Sequence, residues 1–364
     1  MKVLFAPAHK GLDLVQPYQP GKPIEELERE FGIRHALKLA SNENPYGPSP
    51  KALVAARASL RKIHRYPDAS SFYLKKAIAA KFRVSEDRIA IGNGSDELIV
   101  MAIRAFVSAG DEVMTATPTF LIYKIATQVH GAQIVQVPQK DFRYDLKAML
   151  RAITPKTKMI FIANPDNPTG SYVTDTELKD FLKKVPSRCL VFMDEAYYEY
   201  ASHEKNYPQT LGLLSQPNLI ISRTFSKAYG LCGLRVGYSF AHPQVTAGMN
   251  KVREPFNING PAQAAALAAL TDNAFLKKVV SQTCAERARV DEGLCKRGFK
   301  TVPSASNFIL FHAGAKAHAI YEGLLRRGVI VRHMKSWGLE EYIRVTIGRP
   351  QDNRVFLKAI DAII

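Results

Sequence analysis

Lys227 sits just behind an apolar run, 218–222, in Arg223-Thr224-Phe225-Ser226-Lys227-Ala228, with hydroxyls before it and Gly230, Gly233 and Gly237 after it. A lone lysine is most often a solvated surface residue. One that closes a buried run among hydroxyls is placed to condense with a carbonyl group. Three more polar clusters follow apolar runs in the same way. Gly92-Asn93-Gly94-Ser95-Asp96-Glu97 follows the run 88–91 and opens a helical pattern. Its glycines allow a tight turn, Ser95 or Asp96 can cap the helix, and the free N–H groups form an anion site. The third glycine of a dinucleotide fingerprint is missing, and the bland reading is a well-capped turn. Asn164-Pro165-Asp166-Asn167-Pro168-Thr169-Gly170 follows 158–163, either as a simple connection or as a turn aiming Asn167 into a cleft. Asp194-Glu195-Ala196-Tyr197 follows 189–193, where a buried acid needs a partner: a helix cap, an arginine or a ligand cation.

An amine, an acid, amide and phenol donors and a phosphate-type helix start together suit pyridoxal phosphate. That group needs a lysine for its aldehyde, a carboxylate facing its ring nitrogen, donors on its ring oxygen, an aromatic stack and a cationic cradle for its phosphate.

The elements that must position these residues are legible as a rhythm. Apolar runs at 88–91, 112–115, 133–137, 158–163, 189–193, 218–222 and 235–240 read as strands, separated by helical patterns such as 175–184, where Leu178, Phe181 and Leu182 share a face. This predicts an α/β fold: a mostly parallel seven-stranded sheet flanked by helices, with ligands at the carboxyl ends of the strands. The residues after 261 predict a smaller α+β domain, with an alanine-rich helix, strands near 306–311 and 342–347, and a helix near 320–327. The predicted organisation is an N-terminal arm, 1–40, packing near the small domain and including a helix at 24–31; a large domain, 41–260; and a small one, 261–364.

The chain has 364 residues, 46% hydrophobic and 23% charged, which excludes disordered and collagen-like classes. Its 50 Lys+Arg against 33 Asp+Glu leave a net charge of +17, which suits nucleic acid, an anionic surface or small anionic ligands alike. The densest basic stretch, 57–65, reads as a solvated helix face, and no helix-turn-helix precedes the motifs. Four scattered cysteines and nine histidines show no metal-ligand spacing, so no metal is expected. No apolar run is long enough to cross a membrane and the first residues lack a secretory pattern, which predicts a cytoplasmic enzyme with neither membrane nor nucleic-acid partner.

In order and content, Gly94-Ser95-Asp96-Glu97, the 164–170 turn, Asp194-Glu195-Ala196-Tyr197, Ser226-Lys227 and Gly233-Leu234-Arg235 resemble the fold type I pyridoxal-phosphate aminotransferases. Within that superfamily, Pro17-Tyr18-Gln19-Pro20-Gly21, the stretch 38–50, Arg65-Tyr66-Pro67-Asp68 and 343–348 are similar to the histidinol-phosphate aminotransferases. The resemblance implies that Lys227 holds pyridoxal 5'-phosphate covalently and then carries the substrate proton. Asp194 would face the ring nitrogen, Asn167 and Tyr197 the ring hydroxyl, and Phe120 would stack on the ring. Ser95, Asp96, Thr224, Ser226 and Arg235 would surround the phosphate, with Tyr66 reaching over from the partner of a homodimer. Arg344, with Arg332 and Tyr18, would receive the substrate anion. Thr224 stands where relatives often have serine, which keeps the hydroxyl. Phe120 stands where a tyrosine can occur, which keeps the stack. The implied reaction is ping-pong transamination of L-histidinol phosphate with 2-oxoglutarate. The alternatives are an aromatic or broad-specificity aminotransferase, or a phosphothreonine decarboxylase.

Overall fold

A computed structural model describes residues 10–364; positions 1–9 of the expected arm lie outside the described residues. All seven runs read as strands form one sheet, in the order Ile89–Gly92, Gly237–Ala241, Leu219–Thr224, Leu190–Asp194, Thr157–Ala163, Glu112–Thr117 and Gln133–Pro138. Gly237–Ala241 runs antiparallel to both its neighbours and every other pairing is parallel. Period-two alternation decides which side chains face which layer. On Thr157–Ala163, Met159, Phe161 and Ala163 pack with Leu98, Ile99 and Met249 on one side. Ile160 and Ile162 join Leu178, Phe181 and Leu219 on the other. Burial on both faces is why these strands read as continuous apolar runs.

Helix starts follow local chemistry. Asp175–Leu182 opens with a capping box between Thr174 and Glu177. Gly260–Thr271 starts on Asn259, which accepts from Ala262 N, with Pro261 in the first turn.

A second layer holds an antiparallel sheet in the order Arg332–His333, Tyr342–Thr346, Phe308–His312 and Lys300–Val302, covered by Ala317–Arg326 and Pro350–Asp361. Leu37–Lys38 pairs in parallel with Val329–Ile330, and Leu27 of the helix Ile24–Phe31 is buried with Leu325 and Ile330, so the 24–40 segment packs on this layer. Core membership does not change at residue 260. Ala262, Ala265, Ala266 and Leu270 pack into the large sheet's core, and the small layer's core takes over only at Val290 and Leu294, along the helix Asn273–Lys296. Among the described residues no helix is long and apolar enough to cross a membrane.

Candidate functional site

The carboxyl ends of the parallel strands open into a cavity of about 470 Å³, lined on the far side by Arg332 and Arg344 of the small layer and by Tyr18, Gly21 and residues 40–43. Lys227, Asp194, Asn167, Tyr197, Phe120, Ser95, Asp96, Thr224, Ser226, Arg235, Arg344, Arg332 and Tyr18 all line it. Tyr66 does not. It is 83% exposed, stacks on Phe256 at 4.6 Å, and borders a different surface hollow.

Asp194 ends the strand Leu190–Asp194 and is 4% exposed. Tyr123, a residue the sequence reading did not single out, donates its hydroxyl to Asp194 Oδ2 at 2.7 Å. Oδ1 is buried with no hydrogen-bond partner. Burial pushes the Asp194 carboxyl up to about 6, against the lowering effect of the Tyr123 bond. A buried carboxylate oxygen left unpaired in a cavity wall is the partner a protonated ring nitrogen requires.

Lys227 is half-buried: its Nζ lies 3.5 Å from Ser41 O and 5.6 Å from the centre of the Tyr197 ring. Its pKa is lowered from that of free lysine, first by burial and then by the positive charge of Arg344. Such an amine sheds its proton readily and is suited to imine chemistry and to base catalysis.

The anion cradle is built where two chain segments nearly touch. Ser95 and Asp96 start the helix Gly94–Phe106, whose first N–H groups lack intrahelical acceptors. Arg235, itself at φ 58°, bonds Asp96 Oδ2 at 3.2 Å, Ser226 Oγ at 3.4 Å and Cys232 O at 3.2 Å. Ser226 N donates to Thr224 Oγ1 at 3.1 Å, and Thr224 Oγ1 donates to Ser226 Oγ at 3.0 Å. Gly94, at φ 79°, leaves room for the guanidinium, because a Cβ there would overlap Arg235 Nη2.

Asn167 Oδ1 accepts from Arg344 Nη1, which leaves the Asn167 amide N–H groups for the cavity. Tyr197 OH accepts from Asn42 Nδ2 at 2.9 Å, so its own proton is available to donate; burial pushes it up to about 12. Asn42, at φ 55°, also bonds Thr346 through both backbone N–H and side chain, which ties residues 40–42 to the strand bearing Arg344. The stretch around Asn42 resembles the family, yet nothing in the sequence gives Asn42 a role. A buried polar residue tied to two layers has no one-dimensional signature. Tyr123 had a weak one, three residues beyond Phe120 on the same helix start.

Arg332 and Arg344 are Cα partners across two antiparallel strands, and both are buried. Arg344 Nε has no hydrogen-bond partner, and among the described residues neither arginine forms an ion pair. Burial lowers Arg344 to about 10.

Comparison with known proteins agrees with this geometry. Residues 34–360 match the family described as "Aminotransferase class I and II". A histidinol-phosphate aminotransferase of Methylobacillus flagellatus is 46% identical over 99% of this chain and 97% of its own. The chain belongs to the histidinol-phosphate aminotransferase family. A Moorella thermoacetica member of the family is 44% identical, covering 96% of this chain and 91% of its own. The solved structure of the Sinorhizobium meliloti histidinol-phosphate aminotransferase, in complex with pyridoxal-5'-phosphate, superimposes with a TM-score of 0.90 at 31% identity over 99% of each chain. The donor set found here fits that group: an unpaired Asp194 oxygen, a half-buried lysine with a lowered pKa, and a helix start paired with an arginine. As an aminotransferase of this family the protein is an enzyme of fold type I.

Proposed function

We propose that this chain transfers the amino group of L-histidinol phosphate to 2-oxoglutarate, giving imidazole acetol phosphate and L-glutamate, as a cytoplasmic step of histidine biosynthesis. The observation that carries this reading is the pair Arg332 and Arg344. Like charges directly opposite across a sheet repel, and a buried pair without carboxylate partners is a site for a substrate anion. A guanidinium fork accepts a carboxylate or a phosphate, so the same pair serves both half-reactions.

Pyridoxal phosphate, when bound, supplies an electron-withdrawing ring that makes a substrate Cα–H acidic. The residues of this chain do the rest. Asp194, with Oδ2 kept in place by Tyr123 and Oδ1 unpaired, would meet the protonated ring nitrogen. Asn167 and Tyr197 would donate to the ring oxygen, and Phe120 would cover the ring. Ser95, Asp96, Thr224, Ser226 and Arg235 would hold the phosphate. Lys227 Nζ, whose pKa is lowered by burial and by the charge of Arg344, takes the donor's Cα proton and in the second half-reaction returns one to the acceptor. Tyr18, which lines the cavity with its ring centre 5.9 Å from Arg332 Cζ, joins Arg332 and Arg344 in receiving the substrate anion.

The active form is a homodimer in which the partner's Tyr66 completes the phosphate cradle. Supporting this, exposed large apolar side chains concentrate in one stretch: Leu53, Val54, Leu60, Ile63, Tyr66 and Tyr73. Exposed apolar side chains concentrated in this way favour a protein interface, and Ile63, Tyr66 and Tyr73 border one surface hollow.

The test is a donor panel with 2-oxoglutarate as acceptor, comparing histidinol phosphate with phenylalanine and tyrosine. Histidinol phosphate should give the highest kcat/KM. A clear preference for phenylalanine would instead select the aromatic aminotransferase reading.

A further inference from the structure

Trp337 is the only tryptophan of the chain and lies at the junction of the two layers. It ends the short turn Lys335–Trp337 between the two arginine-bearing strands and is 7% exposed. Its ring faces both guanidiniums: Arg332 Cζ is 5.2 Å and Arg344 Cζ 6.0 Å from the ring centre. Its indole Nε1 donates to Thr119 O at 2.9 Å, across to the large layer. Thr119 immediately precedes Phe120. Its hydroxyl is held on the other side by Asp166 Oδ1 at 2.5 Å and by Tyr144 OH at 2.7 Å.

We infer that Trp337 is a positioning residue that couples the arginine pair to the loop carrying Phe120. This rests on the reading above, in which the arginines receive substrate anions and Phe120 covers the cofactor ring. Phe308 also faces Arg344, at 5.1 Å, Tyr18 faces Arg332, at 5.9 Å, and neutral oxygens of Gln19, Ala40 and Asn167 accept from the two guanidiniums. Trp337 is the aromatic face shared by both cations, so it helps hold two repelling guanidiniums together and leaves their charge for the substrate. The N–H fixes Thr119, and through it the place of Phe120 in the cavity wall, where Phe120 would cover the cofactor ring. One side chain therefore links the arginines that would take the substrate's anion to the residue that would cover the ring.

The test uses the cofactor-loaded enzyme and two variants. Trp337→Phe keeps an aromatic face and loses the N–H; Trp337→Leu loses both. Inorganic phosphate is titrated as a competitor of the amino donor, and cofactor affinity is read from the absorbance of the bound cofactor. In Trp337→Phe the phosphate inhibition constant should stay within about twofold of wild type while cofactor affinity weakens about fivefold, the weight of one hydrogen bond. In Trp337→Leu phosphate should weaken about tenfold as well, through loss of the cation–π contacts. In the wild type the single tryptophan's emission should shift as phosphate fills the site. Unchanged cofactor affinity in Trp337→Phe, or a lower Tm in both variants with both constants unmoved, would overturn the coupling. So would wild-type emission that ignores a competing phosphate. If phosphate fails to compete with the donor at all, the reading of Arg332 and Arg344 falls instead.

Discussion

Asp194 and Lys227 face the same cavity, and burial disfavours the charged form of each, raising the acid and lowering the amine. Burial raises Asp194 to about 6, above the roughly 3.9 of an unfolded aspartate. In that window the folded state holds more protons than the unfolded one, so this stabilising contribution is full below pH about 4 and lost as pH rises through about 6. In the cofactor-free protein, Asp194→Asn should therefore raise Tm more at pH 8 than at pH 5, as thermal melts at the two values will show. The same variant should bind cofactor far more weakly, because the ring nitrogen loses its ionic partner. Lys227 is lowered by burial and by Arg344, so the rate of the first half-reaction should rise with pH through a value below that of free lysine. Lys227→Ala should slow turnover by at least about a thousandfold and abolish the absorbance of lysine-bound cofactor. Both shifts depend on burial, which a residue's type does not reveal; the sequence showed the acid and the amine but not the environment that tunes them.

Between elements, the proposed phosphate cradle depends on how closely a strand can approach a helix start. Gly237 begins the antiparallel strand Gly237–Ala241, and a Cβ there would lie 2.7 Å from Ser95 N and 2.8 Å from Gly94 C. Backbone atoms cannot swing aside as a flexible side chain can. Gly237→Ala should therefore cost about 1–3 kcal/mol in denaturant unfolding and weaken cofactor binding together. The strand and helix patterns that bring these segments near one another are local and periodic, so they could be read from the chain. The need for glycine at 237 comes from a neighbour more than a hundred positions away and is visible only once the two meet. The helix Gly260–Thr271 makes the same point. Its alanines are uniform in pattern, and only packing assigns them to the large core rather than the small one.

At the scale of the whole molecule, charge and the apolar patch act over distances longer than any single contact. With a net charge of +17, capture of doubly charged substrates should be electrostatically assisted. Raising ionic strength should then lower kcat/KM for the phosphorylated donor while leaving kcat nearly constant, because screening acts on encounter and not on chemistry within the cavity. The exposed apolar stretch gives a complementary expectation. Ile63→Asp should shift sedimentation toward monomer and weaken cofactor binding, although Ile63 does not line the cavity. Tyr66 is the residue to follow, since it lies outside its own chain's cavity.

What the sequence determined by itself was the order of strands along the chain, the polar group waiting at the end of each, and hence the cofactor chemistry they suit. These are local properties: apolar periodicity, glycine placement and residue type. Only the tertiary structure decided how strands distant in the chain lie side by side and that Asp194 keeps one oxygen unpaired while Tyr123 holds the other. It alone set Arg332 against Arg344 and laid Trp337 between those cations and Thr119. Each of those facts is a contact between segments far apart in the chain, and burial and pairing exist only when both sides are present.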